Sequence, residues 1–132
     1  MSTFHLEIVT PTRVYDEGEV AYVRCPGIDG LFGVMANHTK SVFALTVGEI
    51  KIIRENEEPR YFATSGGYAE VTGRKVQLLL ESAERSDEIN VERAKEAIQR
   101  AKDRLSQKQK IDVTRAESSL QRALNRLRVA QR

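Results

Sequence analysis

Six arginines near the end of the chain form two sets with one spacing: Arg93, Arg100 and Arg104, then Arg115, Arg122 and Arg126. Guanidinium is a permanent cation whose planar fork fits the oxygens of phosphate or carboxylate. The chemistry these residues offer is therefore anion recognition, not bond-making. The other reactive side chains suggest no catalytic constellation. His5 and His38 have no cysteine or carboxylate at metal-ligand spacing. Ser65 in TSGGYAEV lacks the G-x-S-x-G elbow. Gly66 and Gly67 beside it are expected to supply backbone freedom for a turn or bulge between two strands. Cys25 lies in a strand-like run, EVAYVRC, where a buried, inert thiol is expected. GIDGLFG at 27–33 is neither a P-loop nor a dinucleotide fingerprint.

The arginines repeat because the segment that carries them repeats. Residues 89–105, INVERAKEAIQRAKDRL, align with residues 111–127, IDVTRAESSLQRALNRL, and nine of seventeen positions are identical. Each copy has helical periodicity. Val91, Ala94, Ile98, Ala101 and Leu105 form one apolar stripe, and Val113, Ala116, Leu120, Leu124 and Leu127 repeat it. Asn90 and Asp112, the second residue of each copy, precede the two helical runs as N-caps, each able to accept a hydrogen bond from first-turn N–H groups. The short polar SQKQK between the copies predicts antiparallel helices joined through their stripes. On each helix the arginines occupy a narrow sector almost opposite the stripe. They read either as a solvated basic face or as a grip for an anion or an acidic protein surface.

The first 85 residues follow a different rhythm. FHLEIVT, EVAYVRC, EIKIIRE, RYFATS and KVQLLLE are short runs rich in β-branched, aromatic and aliphatic residues. Turn clusters at 16–18, 26–30, 55–59, 65–67 and 72–74 separate them. The spacing predicts an antiparallel sandwich or flattened barrel over 1–85 and a helical hairpin over 86–132, an α+β chain. Charge divides at the same point. Residues 1–85 hold 9 Lys/Arg and 12 Asp/Glu (9 − 12 = −3), whereas residues 86–132 hold 12 and 7 (12 − 7 = +5). The basic tail is expected to meet an acidic partner. A single cysteine excludes an internal disulfide and fits a reducing compartment. No apolar run is long enough to span a bilayer. The opening MSTFHLEIVTP lacks the pattern of a secretory signal.

The hairpin is expected to be movable. Its seam holds few large aliphatics with alanines between them, too little apolar surface to order some forty residues firmly without docking on something.

Five segments in order carry a resemblance: VTPTRVYDEGEV, GLFGVMANH, SGGYAEV, ESAERSDEIN and the arginine-rich hairpin ending RALNRLRVAQ. Together, over essentially the whole length, the chain resembles the epsilon subunit of F-type rotary ATP synthases. The resemblance implies a β-sandwich of about ten strands followed by two antiparallel helices. It implies a central-stalk subunit with no catalytic centre, packed on the gamma subunit and resting on the c-ring. Location would be peripheral, on the cytoplasmic face of a bacterial plasma membrane or the stromal face of a thylakoid. The membrane is touched only through the c-ring.

By the same resemblance, the hairpin folds down on the sandwich or extends along gamma into the alpha/beta hexamer, where it restrains ATP hydrolysis. Arg115, Arg122, Arg126 and Arg128 would then face an acidic segment of the beta subunits. No cofactor is required, but some members hold ATP on the folded hairpin as a regulatory ligand. The positions matching that motif are Ile89, Asn90, Arg93 and Ala94, with Glu84 upstream and Arg100, Arg115 and Arg126 downstream. Asn90 stands where the motif has aspartate. If that aspartate only caps the helix, asparagine serves; if its charge organises an arginine, affinity falls. The aspartate in the second copy, IDVTRA at 111–116, reads as an echo of the helix start and not as a second site.

Gly30, Leu31, Phe32, Gly33 and His38 match the loop that meets gamma and the c-ring. Here too the chain departs from the family, with Leu31 at a commonly polar position and Ala36-Asn37 before the histidine. Two rivals use the same basic hairpin: a stand-alone nucleic-acid module and an ATP sensor with no synthase attached. Against the first, no aromatic residue accompanies the basic positions of the tail.

Overall fold

A computed structural model of the chain describes residues 2–107 and 113–132. Ten strands come first: β1 (Phe4–Val9), β2 (Val14–Val20), β3 (Tyr22–Gly27), β4 (Gly30–Met35), β5 (Ser41–Leu45), β6 (Gly48–Ile53), β7 (Arg60–Thr64), β8 (Gly67–Thr72), β9 (Lys75–Leu80) and β10 (Ala83–Arg85). A 3₁₀ turn at Ser86–Glu88 leads into α1 (Val91–Ser106), and α2 (Val113–Ala130) follows.

The strands form two layers of five. One layer is ordered β10-β7-β6-β3-β4 and the other β5-β8-β9-β1-β2; the single pair Gly27–Leu45 joins them, from β3 to β5. Alternation explains why the layers close on each other. Phe4, Leu6 and Ile8 of β1, Ile50 and Ile52 of β6, Phe62 of β7, and Val76, Leu78 and Leu80 of β9 all point inward. Cys25 is fully buried among them, and burial pushes its thiol up to about 12, so it is inert.

Two expectations change. The sheet is not wholly antiparallel, because β1 and β9 run parallel. The DEG cluster at 16–18 is not a turn but part of β2. There the pairing with β1 slips between Leu6 and Glu7, and Gly18 takes φ +68°. The slip is a bulge, which needs the same glycine freedom as a turn and so carries the same sequence signal. Gly66 and Gly67 do mark a junction, at φ +121° and +148°. A Cβ on Gly67 would stand 2.1 Å from the Leu79 carbonyl oxygen, so only glycine fits.

Asn90 caps α1, its Oδ1 accepting from the Arg93 N–H at 3.0 Å. Asp112, most of the linker and Ile111 lie outside the described residues. The seam between α1 and α2 differs from the expected stripe. Its buried members are Ala94 and Ala101 facing Ala116 and Ala123, while Leu124 is 44% exposed. Small side chains let the helices approach closely, and the larger aliphatics are left at the margins of the seam.

Candidate functional site between the hairpin and the sandwich

α2 has two neighbours. Ala116 and Ala123 face α1; Asn125 and Val129 face the outer surface of the sheet. At about 100° per residue, these two sectors lie on either side of Arg122 and Arg126. The arginine face therefore opens into the crevice between hairpin and sandwich.

Sheet register prepares the docking surface. Ala63 of β7 pairs with Glu84 of β10 on one side and Glu49 of β6 on the other, so a carboxylate, a methyl group and a carboxylate stand in a row. Val129, fully buried, covers Ala63 together with Ile89. Arg126 grips Glu84 with both ends of its fork, Nε to Oε1 at 2.6 Å and Nη2 to Oε2 at 3.0 Å. Arg132 does the same to the buried Glu49, at 2.7 and 3.1 Å, and its guanidinium lies 5.2 Å from the Tyr61 ring centre. Hydrogen bonding to Glu49 raises the Arg132 pKa further, so the guanidinium stays charged. Glu49 also accepts from Arg24 Nη2 at 3.0 Å. The buried Asn125 donates to the Gly48 carbonyl at 2.7 Å and accepts from Arg128.

The linker is pinned separately. Glu88 accepts from Arg13 Nη1 at 3.0 Å and from the Tyr15 hydroxyl at 3.2 Å. Partial burial and the Glu88 charge both raise the Tyr15 pKa, so the hydroxyl remains a donor.

A cleft of about 440 Å³ opens beside the Arg126–Glu84 pair. Its basic residues are Arg100, Arg104, Arg122 and Arg126, with Glu84 as the one carboxylate; Thr64, Ser65, Ser82, Ser119 and Asn125 add polar groups. The surplus of three positive charges suits an oligophosphate or another polyanion.

The structure brings together only some of the expected nucleotide ligands. Glu84, Arg100 and Arg126 line the cleft; Ile89, Asn90, Arg93, Ala94 and Arg115 do not. Ile89 is an apolar contact on the sheet, Asn90 a cap, and Ala94 part of the helix seam. Arg93 and Arg115 are exposed outside the cleft. Arg104 and Arg122 join it, and their arginine periodicity already marked them. Nothing in the sequence marked Ser65, Ser82 or Asn125, because their roles depend on which elements meet. Of the arginines assigned to the beta contact, Arg115, Arg122 and Arg128 are exposed and Arg126 is held by Glu84.

The expected contact loop is largely a strand: Gly30, Leu31, Phe32 and Gly33 lie in the first part of β4. Leu31 is 66% exposed, but Phe32 packs on Phe43 at 4.4 Å between ring centres, so the apolar patch is Leu31 with the neighbouring Ile28. Among the described residues, the one hydrogen-bond partner of the His38 ring is its neighbour's carbonyl, Thr39 O, and the ring lies edge-on to Phe43 at 6.0 Å between centres. Among the described residues no group of three side chains could hold a metal ion.

Comparison with known proteins agrees with this two-part build. Residues 3–86 match the family described as ATP synthase, Delta/Epsilon chain, beta-sandwich domain, and residues 87–131 the long alpha-helix domain of the same chain. An ATP synthase epsilon chain of Nitratidesulfovibrio vulgaris strain DP4 is 44% identical over 105 residues, covering 80% of this chain and 78% of that protein. The epsilon chain of Brevibacillus brevis is 43% identical over 108 residues, covering 82% of each. The fold also matches a chain in the Euglena gracilis mitochondrial ATP synthase structure, with a TM-score of 0.86 at 21% identity over all of this chain and 83% of that one. With sandwich and hairpin both matched, and in the same order, this chain belongs to the ATP synthase epsilon chain family.

Proposed function

We propose that this epsilon chain serves as a non-catalytic central-stalk subunit, joining the gamma subunit to the c-ring, and that its hairpin is a movable brake on ATP hydrolysis. The observation that carries the reading is the divided use of the arginines. Arg126 and Arg132 hold α2 down on Glu84 and Glu49, while Arg115, Arg122 and Arg128 are exposed. If α2 swings away, Arg126 is freed to join the others against an acidic surface of the alpha/beta hexamer. Docking and inhibition then compete for one residue.

The sandwich supports a stalk role by a second feature. Across its outer face, away from the hairpin, Ala44, Tyr68, Leu79, Val9 and Val14 pair in one apolar row over five strands. Tyr68 and Val14 are each 57% exposed. Such a row suits a protein partner, and gamma is the partner this reading assigns to it. Ile28 and Leu31 at the β3–β4 turn are assigned to the c-ring. No helix among the described residues is long and apolar enough to cross a membrane. Membrane attachment is assigned to the c-ring, on the cytoplasmic side in a bacterium.

ATP is proposed as a regulatory ligand of the cleft, with Arg100, Arg104 and Arg122 on its phosphates, so that nucleotide favours the docked hairpin. A nucleic-acid role finds no support in the family membership.

The test is the assembled complex carrying Glu84→Gln and Glu49→Gln. These changes weaken docking without touching the arginines, so ATP hydrolysis should fall severalfold, and deleting residues 86–132 in the same background should restore it. Unchanged hydrolysis in both variants would sink the brake assignment.

A further inference from the structure

α2 separates two basic cavities, the cleft beside Glu84 and one on its other side. The second, about 390 Å³, lies at the end of α2 against the β3–β4 turn. Its charged residues are Arg24 of β3, Glu49 of β6, and Arg128 and Arg132 of the hairpin; Leu31 forms part of its rim. Glu49 is already shared between Arg24 and Arg132, so three guanidinium groups meet one carboxylate. Counted over side chains, the surplus is two positive charges. Arg24 carries a further mark: its Nε is buried and has no hydrogen-bond partner among the described residues.

Docking itself creates this surplus. Arg24 and Glu49 belong to the sandwich and balance each other at 3.0 Å. Folding α2 down adds Arg128 and Arg132 with no further acidic side chain among the described residues that line the cavity. Like charges gathered beside the protein surface repel, and an anion between them relieves the repulsion. We propose that this cavity is a second oxyanion site, present only when the hairpin is docked. Its ligand is one phosphate or carboxylate group, held by Arg24 and Arg128 while Arg132 stays on Glu49. An anion bound there stabilises the docked hairpin, because the undocked form does not bind it.

Two sources offer that group. One is free inorganic phosphate. The other is an acidic side chain of a protein seated on the exposed Ile28 and Leu31, which are 64% and 66% exposed beside the cavity. In the second case, a partner at the β3–β4 turn would sense whether the hairpin is down. The proposal does not depend on nucleotide binding in the other cleft.

Hydrogen exchange of α2 in the intact chain provides the test, with inorganic phosphate titrated against chloride at constant ionic strength. At ten times the half-saturating phosphate concentration, linkage predicts exchange about tenfold slower. Arg128→Gln and, separately, Arg24→Gln should abolish that slowing; Arg100→Gln with Arg122→Gln should leave it. Arg128 is exposed, so its variant should keep the fold, and an unchanged sandwich exchange pattern checks this. The second arm measures α2 protection in the phosphate-free assembled complex, with and without Arg128→Gln. A loss there larger than Arg128→Gln causes in the phosphate-free isolated chain, where only the Arg128–Asn125 hydrogen bond is removed, identifies a partner carboxylate as the ligand when phosphate has no effect on the isolated chain. A phosphate effect that survives Arg128→Gln and Arg24→Gln but disappears with Arg100→Gln and Arg122→Gln overturns the proposal. Indifference to Arg128 in both arms overturns it as well.

Discussion

The sandwich and the hairpin are both held by contacts along regular elements, yet they fill their interiors with different matter. Between the two sheet layers lie Phe4, Leu6, Ile8, Ile50, Ile52, Phe62 and Leu78, all at most 2% exposed. Between the two helices the buried residues are alanines, and between α2 and the sheet they are Val129, Asn125, Ile89 and Ala63, flanked by ion pairs. Removing an element from the first interior exposes large hydrocarbon surface, which costs about 25 cal/mol per Å². Lifting the hairpin exposes less, and its charged groups regain water. Glu49 even keeps Arg24 as a partner after Arg132 leaves. One chain thus contains a part built to stay and a part built to leave.

That contrast can be broken by substitution. The largest effect is expected for Phe62→Ala, which removes a fully buried ring stacked edge-on against Tyr15 at 5.1 Å. A loss of about 3–5 kcal/mol in unfolding free energy is expected, measured by denaturant titration. If the loss were under 1 kcal/mol, the sandwich would not be the rigid partner.

Next in size is Ala101→Leu in the helix seam, where Ala101 is 1% exposed. Overpacking should cost about 1–3 kcal/mol. The cost should appear as faster exchange in α1 and α2, with the sandwich unfolding midpoint unchanged. A matching shift in the sandwich would mean that the two parts unfold as one.

Asn125→Ala comes last. It strips the Gly48 carbonyl of its donor and leaves Arg128 without its acceptor, and about 1 kcal/mol of docking is expected to go. Hydrogen exchange should place that change at the α2–sheet contact and nowhere in the seam. A seam change of equal size would show that Asn125 supports the hairpin itself.

Much of the sandwich was legible because alternation is a local property. Strands rich in Val, Ile and Phe, with glycines at the junctions, announce themselves at short range. The bulge at Gly18 was misread as a turn because φ above zero serves both. Leu124 was misplaced for a different reason. Periodicity measures angles around one helix, and its position beside Leu120 satisfies the stripe; yet the closely approaching alanines shift the seam away from it. The cleft was half legible: Arg100 and Arg126 sat in recognisable positions, whereas Ser65, Ser82 and Asn125 are drawn in from two strand connections and α2.

From residue order alone came the two parts, their opposite charges, the helix repeat and its three-arginine spacing, since each depends on neighbours within a turn or two. Only the tertiary structure decided where the arginines look. A helix with one neighbour hides its stripe and shows the opposite face to water. α2 has two neighbours, α1 and the sheet, and its arginines lie between them. A sector that a lone hairpin would expose to solvent therefore lines a cleft, because the direction of a side chain depends on every surface its helix touches.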